Sequence, residues 1–244
     1  MALTATDRAV AVATGTTNRA IIALGDVIRV FREADIETIA LRGIDLEIAA
    51  GEFVAIMGRS GSGKSTLLQL LAGSDRPTAG RVIVDGIDLS RADEDLRASV
   101  RGRRVGFVFQ DHNLIPFLSI EENLLLAATL AGRPMDLATA RSTLARVGLE
   151  DRGSSRPAQL SGGEQQRAAI GIVLGTRPPV ILADEVTGEL DSMSADLLVG
   201  LLEEIHRDAG VTIVLATHDP RVADRTDRVI ELRDGRVVAD RRLR

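Results

Sequence analysis

Four short apolar segments of the chain each end in a polar residue or a glycine-rich loop. They are Phe53–Met57, 105–109, 180–183 and Thr212–Thr217, and they run into a glycine-rich loop, Gln110, Asp184-Glu185 and His218 respectively. Continuous rather than alternating hydrophobicity predicts strands that are covered on both faces, as in a parallel α/β sheet. Ligands of such sheets bind at the carboxyl ends of the strands. We therefore expect these polar residues to share one edge of a sheet.

The segments around this predicted core have other patterns. Residues 21–48, 82–84 and 229–238, the last turning at Asp234-Gly235, favour a mainly antiparallel flank. Between residues 111 and 160, apolar residues recur at helical spacing, at positions 124–126, 130, 137, 144 and 147, and the edges of this segment are rich in turn residues. The prediction is an α/β fold with a mainly parallel core sheet, an antiparallel β flank and an inserted helical subdomain at about 111–160. This domain covers residues 21–244, and residues 1–20 are an N-terminal extension that could be flexible.

The glycine-rich loop reads G-R-S-G-S-G-K-S, and Lys64 within it is the only lysine of the chain. In a phosphate-binding loop of this spacing, backbone N–H groups wrap nucleotide phosphates, the lysine reaches the β and γ oxygens, and the next hydroxyl ligates Mg²⁺. A plain strand-to-helix turn is the alternative. The predicted nucleotide-binding residues are Gly58, Arg59, Ser60, Gly61, Ser62, Gly63, Lys64, Ser65 and Thr66.

Composition narrows the class of protein. The chain has 244 residues, 45% of them hydrophobic and 27% charged, which suits one large core with a smaller lobe. No apolar stretch approaches the roughly 18 residues of a membrane span, so we expect a cytosolic protein. The absence of cysteine excludes disulfides, thiolate zinc sites and cysteine nucleophiles. A net charge of −5 argues against a general nucleic-acid binder, and no nucleic-acid partner is expected.

A second motif, L-S-G-G-E-Q-Q-R at residues 160–167, opens a predicted helix. Ser161 and Glu164 have the spacing of a capping box, and a simple helix cap is one interpretation. Two glycines in a first helical turn, however, cost roughly 1 kcal/mol each relative to alanine. They expose bare backbone, so that a phosphate can approach the positive end of the helix dipole. We interpret the motif as a second anion site.

These motifs, with Thr-His-Asp at 217–219, resemble the ATP-binding subunit of ABC transporters. The segments 108–116, 122–123 and 182–191 are similar to the lipoprotein-releasing and macrolide-export branch (LolD and MacB), with FtsE close by. The resemblance implies a homodimer that holds two ATP molecules, each between one phosphate loop and the other subunit's Ser161-Gly162-Gly163; an isologous pairing satisfies both motifs. It also implies integral membrane permease subunits of the FtsX, MacB or LolC type, and a peripheral location at the cytoplasmic face of the membrane.

Residue roles follow from the resemblance and from charge. Glu185 would polarise the attacking water, His218 would orient the γ-phosphate, and Gln110 would contact Mg²⁺ or the water. Asp184 would hold Mg²⁺ through water, together with Ser65. Phe31 falls where the family stacks an aromatic ring on adenine, although a core phenylalanine is the alternative. The remaining expected nucleotide contacts are Ser161, Gly162, Gly163, Glu164, Gln165 and Asp191.

Some positions depart from the family, and some functions stay open. Val186 replaces a usual proline, Glu189 replaces a small or amide residue, and Gly171-Ile172 replaces Ala-Arg. We expect these changes to affect the turnover rate and the strength of the dimer interface, but not nucleotide binding. The sequence does not separate a transport ATPase from an FtsE-like ATPase that signals to a cell-envelope hydrolase. A soluble ABC ATPase of DNA repair or translation usually carries coiled-coil insertions, zinc cysteines or a second ATPase domain, which this sequence lacks. A simple P-loop kinase would lack the L-S-G-G-E-Q-Q-R signature motif at residues 160–167.

Overall fold

The computed structural model describes residues 20–33, 36–111, 113–188 and 190–244. The strands are β1 (Ala20–Glu33), β2 (Ile36–Ala49), β3 (Phe53–Met57), β4 (Ala79–Val84), β5 (Ile87–Asp88), β6 (Val105–Val108), β7 (Val180–Asp184), β8 (Thr212–Thr217), β9 (Arg228–Arg233) and β10 (Arg236–Arg242). The helices are α1 (Lys64–Leu71), α2 (Glu94–Arg103), α3 (Ile120–Leu130), α4 (Leu137–Arg146), α5 (Gly162–Thr176), α6 (Ser192–Ala209) and α7 (Pro220–Ala223). Apart from Ala20, the predicted N-terminal extension lies outside the described residues. None of the helices in the described ranges is long and apolar enough to cross a membrane.

The core sheet has six strands in the order β10-β9-β3-β8-β7-β6. Strands β3, β8, β7 and β6 are parallel, as the four apolar segments predict. Every residue of β8 is buried, and so are the first four residues of β3 and of β7. This burial on both faces explains the continuous hydrophobicity in the sequence. The four strands therefore deliver their carboxyl ends to one edge of the sheet.

The placement of the last hairpin differs from the prediction. The turn at Asp234-Gly235 is present, with left-handed φ values of 48° and 74°. The segment 229–238 does not belong to the antiparallel flank, however, because β9 pairs in parallel with β3 and extends the core sheet. Only β10 is antiparallel, at the edge. A hairpin turn has the same chemistry in either sheet, so the pattern could not decide which sheet the hairpin joins.

The antiparallel flank is a four-stranded sheet in the order β2-β1-β4-β5. One continuous apolar cluster joins this sheet, helix α1 and the core sheet. Fully buried members from each layer are Ile22 of β1, Leu68 of α1 and Ile230 of β9. Helix α1 and the phosphate loop before it are thus held between two sheets.

The helical subdomain contains α3 and α4, and both pack against α5. Leu124, Leu144 and Val147 are buried there, in agreement with their helical spacing. Leu130 and Leu137 from the same pattern are 72% and 41% exposed. The departure Gly171 lies in this contact, where an added Cβ would approach Val147 to 3.1 Å. The other departure in the described chain, Val186, is buried in the same apolar cluster, whereas Glu189 lies outside the described residues.

Two glycines near β6 give a paired test of packing. A Cβ on Gly106 would lie 2.2 Å from a methyl group of Val173 and 2.9 Å from the ring of Pro178. We expect Gly106→Ala to lower the free energy of unfolding by about 1–3 kcal/mol, because both neighbours are stiff. The measurement is urea denaturation followed by circular dichroism.

Gly102→Ala is the matched control for this substitution. Gly102 lies in α2, and a Cβ there would meet nothing within 4 Å. Alanine should therefore leave stability unchanged or raise it by up to about 1 kcal/mol through helix propensity. Equal effects of the two substitutions would contradict the packing of β6 against α5.

Candidate active site

Three strands of the core sheet carry the predicted chemistry at their carboxyl ends. Strand β3 leads into the phosphate loop and α1, β7 ends at Asp184 before Glu185, and β8 ends at Thr217 before His218. The backbone N–H of Glu185 donates to the carbonyl of Ala216 over 3.0 Å, which ties the ends of β7 and β8 together. The structure therefore brings these motifs to one edge, as their sequence pattern predicts.

The phosphate loop has a conformation that requires glycine. Gly63 has a φ of 105°, and a Cβ there would lie 2.7 Å from the carbonyl oxygen of Ala40 on β2. The other side of the loop contacts the β9–β10 hairpin, where the N–H of Gly235 donates to the carbonyl of Ser62 over 3.1 Å. The loop is thus clamped between the antiparallel sheet and the last hairpin.

Lys64 is the centre of the charge arrangement in the site. Its side chain is only 4% exposed, and Nζ donates to the carbonyl of Gly58 over 2.9 Å and to that of Arg59 over 3.3 Å. It also forms an ion pair with Oε1 of Glu185 at 3.0 Å. The second carboxylate oxygen of Glu185 lies 3.5 Å from Nδ1 of His218. Lys64, Glu185 and His218 therefore lie in one contiguous row. They are the residues predicted to bind phosphate, to act as the base and to orient the γ-phosphate.

Asp184 is a half-buried carboxylate with an incomplete set of partners. Its Oδ1 atom is buried and accepts no hydrogen bond from the described part of the chain. Burial raises the pKa of this carboxyl and so does the nearby charge of Glu185, whereas a hydrogen bond with Ser65 and the charge of Lys64 lower it. An unpartnered carboxylate oxygen beside a hydroxyl is a donor set that suits Mg²⁺, which prefers oxygen ligands. Asp184 and Ser65 thus fit the predicted cation.

The backbone of Glu185 is in the left-handed region, with a φ of 48°. Residues other than glycine and asparagine rarely adopt this conformation, since it costs roughly 1–2 kcal/mol. The turn that follows is closed by the N–H of Gly188, which donates to the carbonyl of Glu185 over 3.0 Å. Strained backbone of this kind clusters at active sites.

The signature motif forms the predicted capping box at the start of α5. The hydroxyl of Ser161 accepts from the N–H of Glu164 over 3.3 Å, and the Glu164 carboxylate accepts from the N–H of Ser161 over 2.9 Å. Gln165 secures the preceding turn by donating to the carbonyls of Pro157 and Leu160. The cap therefore exists, and these contacts of the motif are all local.

The cap does not explain the two glycines. A Cβ on Gly162 would meet nothing within 4 Å, and one on Gly163 would make only an ordinary 3.6 Å contact with the hydroxyl of Ser194. Both glycines have helical backbone in α5, where alanine is preferred. Packing within the chain thus leaves these positions free to carry a side chain, and the bare backbone points to something outside the chain.

Three further predicted residues lie in different settings. Gln110 is exposed, two residues beyond β6 at the same sheet edge. Phe31 is half-buried on β1 with the guanidinium of Arg29 4.3 Å above its ring, and it pairs with Thr38 on β2. Thr38 is two residues from the part of β2 that contacts the phosphate loop, so Phe31 lies about 7 Å along the strand from that contact. Asp191 caps α6, accepting from the N–H groups of Met193 and Ser194.

The structure also adds residues that sequence reasoning missed. A cavity of about 710 Å³ adjoins the phosphate loop, and its other side is formed by the β9–β10 hairpin and His218. Arg233 and Arg241 of the hairpin line it together with Arg59. In addition, the side chain of Gln166, 1% exposed, donates to the carbonyl of Phe109 just before Gln110. In the sequence, only the turn at Asp234-Gly235 indicates the hairpin. Nothing in the sequence distinguishes Gln166 from other polar residues of a helix.

The unpartnered oxygen of Asp184 allows a test by substitution. The folded chain keeps the Asp184 proton to a higher pH than the unfolded chain, so ionisation of Asp184 lowers stability as the pH rises through that interval. We therefore expect Asp184→Asn to raise the Tm of the nucleotide-free protein at pH 7, since the amide carries no charge to desolvate. Scanning calorimetry measures the change.

Asp191→Ala should have the opposite effect in the same assay. A hydrogen bond from Ser194 holds the pKa of Asp191 below its usual value, and the side chain is an N-cap. Its removal should lower the Tm, because the first turn of α6 loses its cap. A lower Tm for both variants would show that the Asp184 charge is compensated within the chain.

Known proteins are similar to most of this chain. Residues 41–188 match the family model described as ABC transporter. The chain is 52% identical over 206 residues to the lipoprotein-releasing system ATP-binding protein LolD of Anaeromyxobacter dehalogenans, covering 83% of this chain and 86% of that protein. It is 48% identical over 222 residues to the macrolide export ATP-binding/permease protein MacB of Hyphomonas neptunium, covering 90% of this chain but only 34% of MacB. The chain thus spans about a third of the MacB relatives.

A solved structure shares both fold and sequence with the chain. It is the dimeric post-hydrolysis state of the ATP-binding cassette MJ0796 bound to ADP and Pi, which is 39% identical, has a TM-score of 0.85, and is matched over 91% of this chain and 99% of that one. The relatives do not favour the FtsE-like alternative. On the family match, the identity to LolD and the fold shared with the ATP-binding cassette MJ0796, the chain belongs to the ABC transporter family and is an ATPase cassette of that family.

Proposed function

We propose that this ATPase cassette binds two ATP molecules in a head-to-tail homodimer and uses their hydrolysis to drive a separate membrane permease. One observation carries the proposal. Lys64, Asp184, Glu185 and His218 converge at one sheet edge, while the bare backbone of the signature is left without a use inside its own chain. The first feature supplies half of a nucleotide site, and the second supplies the other half to a partner.

The chemistry follows from the charges at the sheet edge. ATP brings phosphate oxygens to Lys64, and these compete with Glu185 for the ammonium group. Once released, the Glu185 carboxylate can accept a hydrogen bond from the attacking water, and His218 can orient the water and the γ-phosphate. Phosphoryl transfer requires mainly positioning and charge stabilisation, which these residues provide.

Mg²⁺ is the cation that the oxygen ligands of this site would hold. Ser65 and Asp184 are the expected ligands, with Gln110 from the end of β6 as the third. The bound ion would neutralise charge on the phosphates. The chain itself supplies the Oδ1 atom of Asp184, which is buried and has no hydrogen-bond partner in the described part of the chain.

The pairing of two copies follows from symmetry. Each chain has one phosphate loop and one signature, and a two-fold axis lets each loop face the signature of the other copy. The capping box holds the N-terminus of α5 open toward the partner, and Glu164 is further anchored by Arg152 at 3.0 Å. The dimeric state of MJ0796 with ADP and Pi supports this arrangement.

The permease and the location are proposed from the relatives. LolD is named as part of a lipoprotein-releasing system, and MacB is named as an ATP-binding and permease protein in one chain. We place this chain at the cytoplasmic face of the membrane, coupled to permease subunits for lipoprotein release or export. Exposed apolar side chains near the helical subdomain, Phe117 and Leu130 at 71% and 72% exposure, favour a docking role for that subdomain.

Glu185→Gln tests the assignment of the base. The amide keeps the shape of the side chain but cannot accept a proton, so ATP hydrolysis should fall by about 10²- to 10⁴-fold. ATP binding and ATP-dependent dimerisation should persist. Phosphate release measures hydrolysis, and light scattering in the presence of ATP measures dimerisation.

The control for this variant is Glu204→Gln, on the exposed face of α6. It should hydrolyse ATP at the normal rate. Near-normal turnover of Glu185→Gln would refute the assigned role.

Gly162→Ala tests the dimeric site without disturbing the fold. Since a Cβ at this position meets nothing in the chain, the monomer should be as stable as before or up to about 1 kcal/mol more stable. A methyl group on the signature backbone should nevertheless block the partner's phosphate, and ATP-dependent dimerisation should be lost. Gly102→Ala, also on an exposed helix, is the control, and unimpaired dimerisation of Gly162→Ala would contradict the proposed interface.

A further inference from the structure

A second large cavity lies at the opposite edge of the core sheet. Its volume is about 700 Å³, and it is lined where β6, β7 and β8 begin, by Arg104, Pro179 and Thr212 among others. Strand β8 runs from Thr212 in this cavity to Thr217 beside the nucleotide site, a distance of about 16 Å along the strand. The two sites are therefore separated by the full length of the sheet.

Arginine dominates the charge of this cavity. Arg104, Arg133, Arg146 and Arg177 line it, and Asp85 is the sole carboxylate among the lining residues. Asp85 is paired with Arg104. Within the described ranges, the guanidinium groups of Arg146 and Arg177 have neither an ion pair nor a hydrogen bond. All four arginines are exposed to solvent. A cleft lined by one sign of charge raises the local concentration of oppositely charged ligands, here of anions.

These arginines come from separate parts of the fold. Arg104 follows α2 and precedes β6, Arg146 ends α4, and Arg177 follows α5. Arg133 donates to the carbonyl of Thr176 over 2.9 Å and also contacts the carbonyl of Arg177, which places it against the end of α5. The fold thus gathers cations from the helical subdomain and the core around one space.

The backbone of Arg177 is strained. As the C-cap of α5 it has φ 48° and ψ 54°, the left-handed conformation for which helix ends normally use glycine. An arginine at such a position retains strain that glycine would remove. Strained residues that persist in this way often have a functional role.

The cavity has an apolar floor as well as a basic rim. Met135, Leu174, Ile181 and Val211 contribute to the floor. The volume is that of a small-molecule site rather than of an extended peptide groove. Guanidinium groups bind phosphate through paired, charge-assisted hydrogen bonds, and several converging arginines suit an anion with more than one phosphate.

We propose that this cavity binds an anion that carries clustered phosphate groups, with the apolar floor receiving an organic body where one is present. Arg146 and Arg177 are its principal ligands, because they have no partner in the described chain. The ligand contacts α4 on one side and the amino ends of the core strands on the other, so it ties the helical subdomain to the core. This site is separate from the nucleotide site and does not depend on the proposed hydrolysis.

Isothermal titration with inorganic pyrophosphate tests the proposal. Saturating ADP is present, so that the phosphate loop is not available to the probe. We expect the protein to bind pyrophosphate, and the double variant Arg146→Gln/Arg177→Gly to bind it about a hundredfold more weakly, roughly tenfold for each charge-assisted contact. The control Arg91→Gln/Arg236→Gln removes two exposed arginines elsewhere and should leave the affinity unchanged.

A second experiment distinguishes a lipid headgroup from a soluble phosphate compound as the ligand. Flotation with phosphatidylcholine vesicles, with and without the diphosphate lipid cardiolipin, asks whether the cavity takes a headgroup. Loss of pyrophosphate binding in the double variant supports a soluble ligand, and loss of cardiolipin-dependent flotation alone supports a lipid. Binding of neither probe by the unmodified protein, or equal binding by the double variant, would overturn the proposal.

Stability of the single variant Arg177→Gly distinguishes a ligand role from a structural one. Glycine relieves the left-handed strain, so the Tm should rise by about 2–4 °C while the affinity for the probe falls. A lower Tm would show that Arg177 supports the end of α5 and would overturn its assignment as a ligand.

Discussion

The site depends on one buried charge. The Lys64 ammonium is almost inaccessible, and it is tolerated because two loop carbonyls and the Glu185 carboxylate surround it. A buried cation without such partners would be strongly unfavourable. The same three contacts draw the phosphate loop, the end of β7 and, through His218, the end of β8 together. In the proposed mechanism, nucleotide phosphates replace the carboxylate as the partner of Lys64, and Glu185 is then free to act as the base.

The parallel sheet gives the molecule two chemically different edges. At the carboxyl ends of the strands, Asp184 and Glu185 lie beside a loop suited to phosphate. At the amino ends, arginines from the core and from the helical subdomain surround a second cavity. The strands between the edges are almost fully buried. A rigid core of this kind keeps both edges in fixed positions, which is what sites assembled from distant segments require.

The signature motif combines a helix cap with a backbone that is bare of side chains. Ser161 and Glu164 form a complete capping box, which stabilises α5 by itself. Gly162 and Gly163 weaken the same helix without any packing need. The loss of helix propensity is consistent with a backbone kept bare for a partner's phosphate, and local rules of this kind are broken mainly at functional sites.

The sequence by itself determined the local features. The spacing of the phosphate loop, the capping box of the signature and the apolar runs of the four core strands are properties of neighbouring residues, and each predicted the local structure that is observed. Tertiary structure alone decided which sheet receives the β9–β10 hairpin, that Asp184 keeps an unpartnered oxygen, and that Arg104, Arg146 and Arg177 share one cavity. These outcomes depend on contacts between residues far apart in the chain. Hydrophobic periodicity specifies which face of an element is buried, but not which distant element covers it.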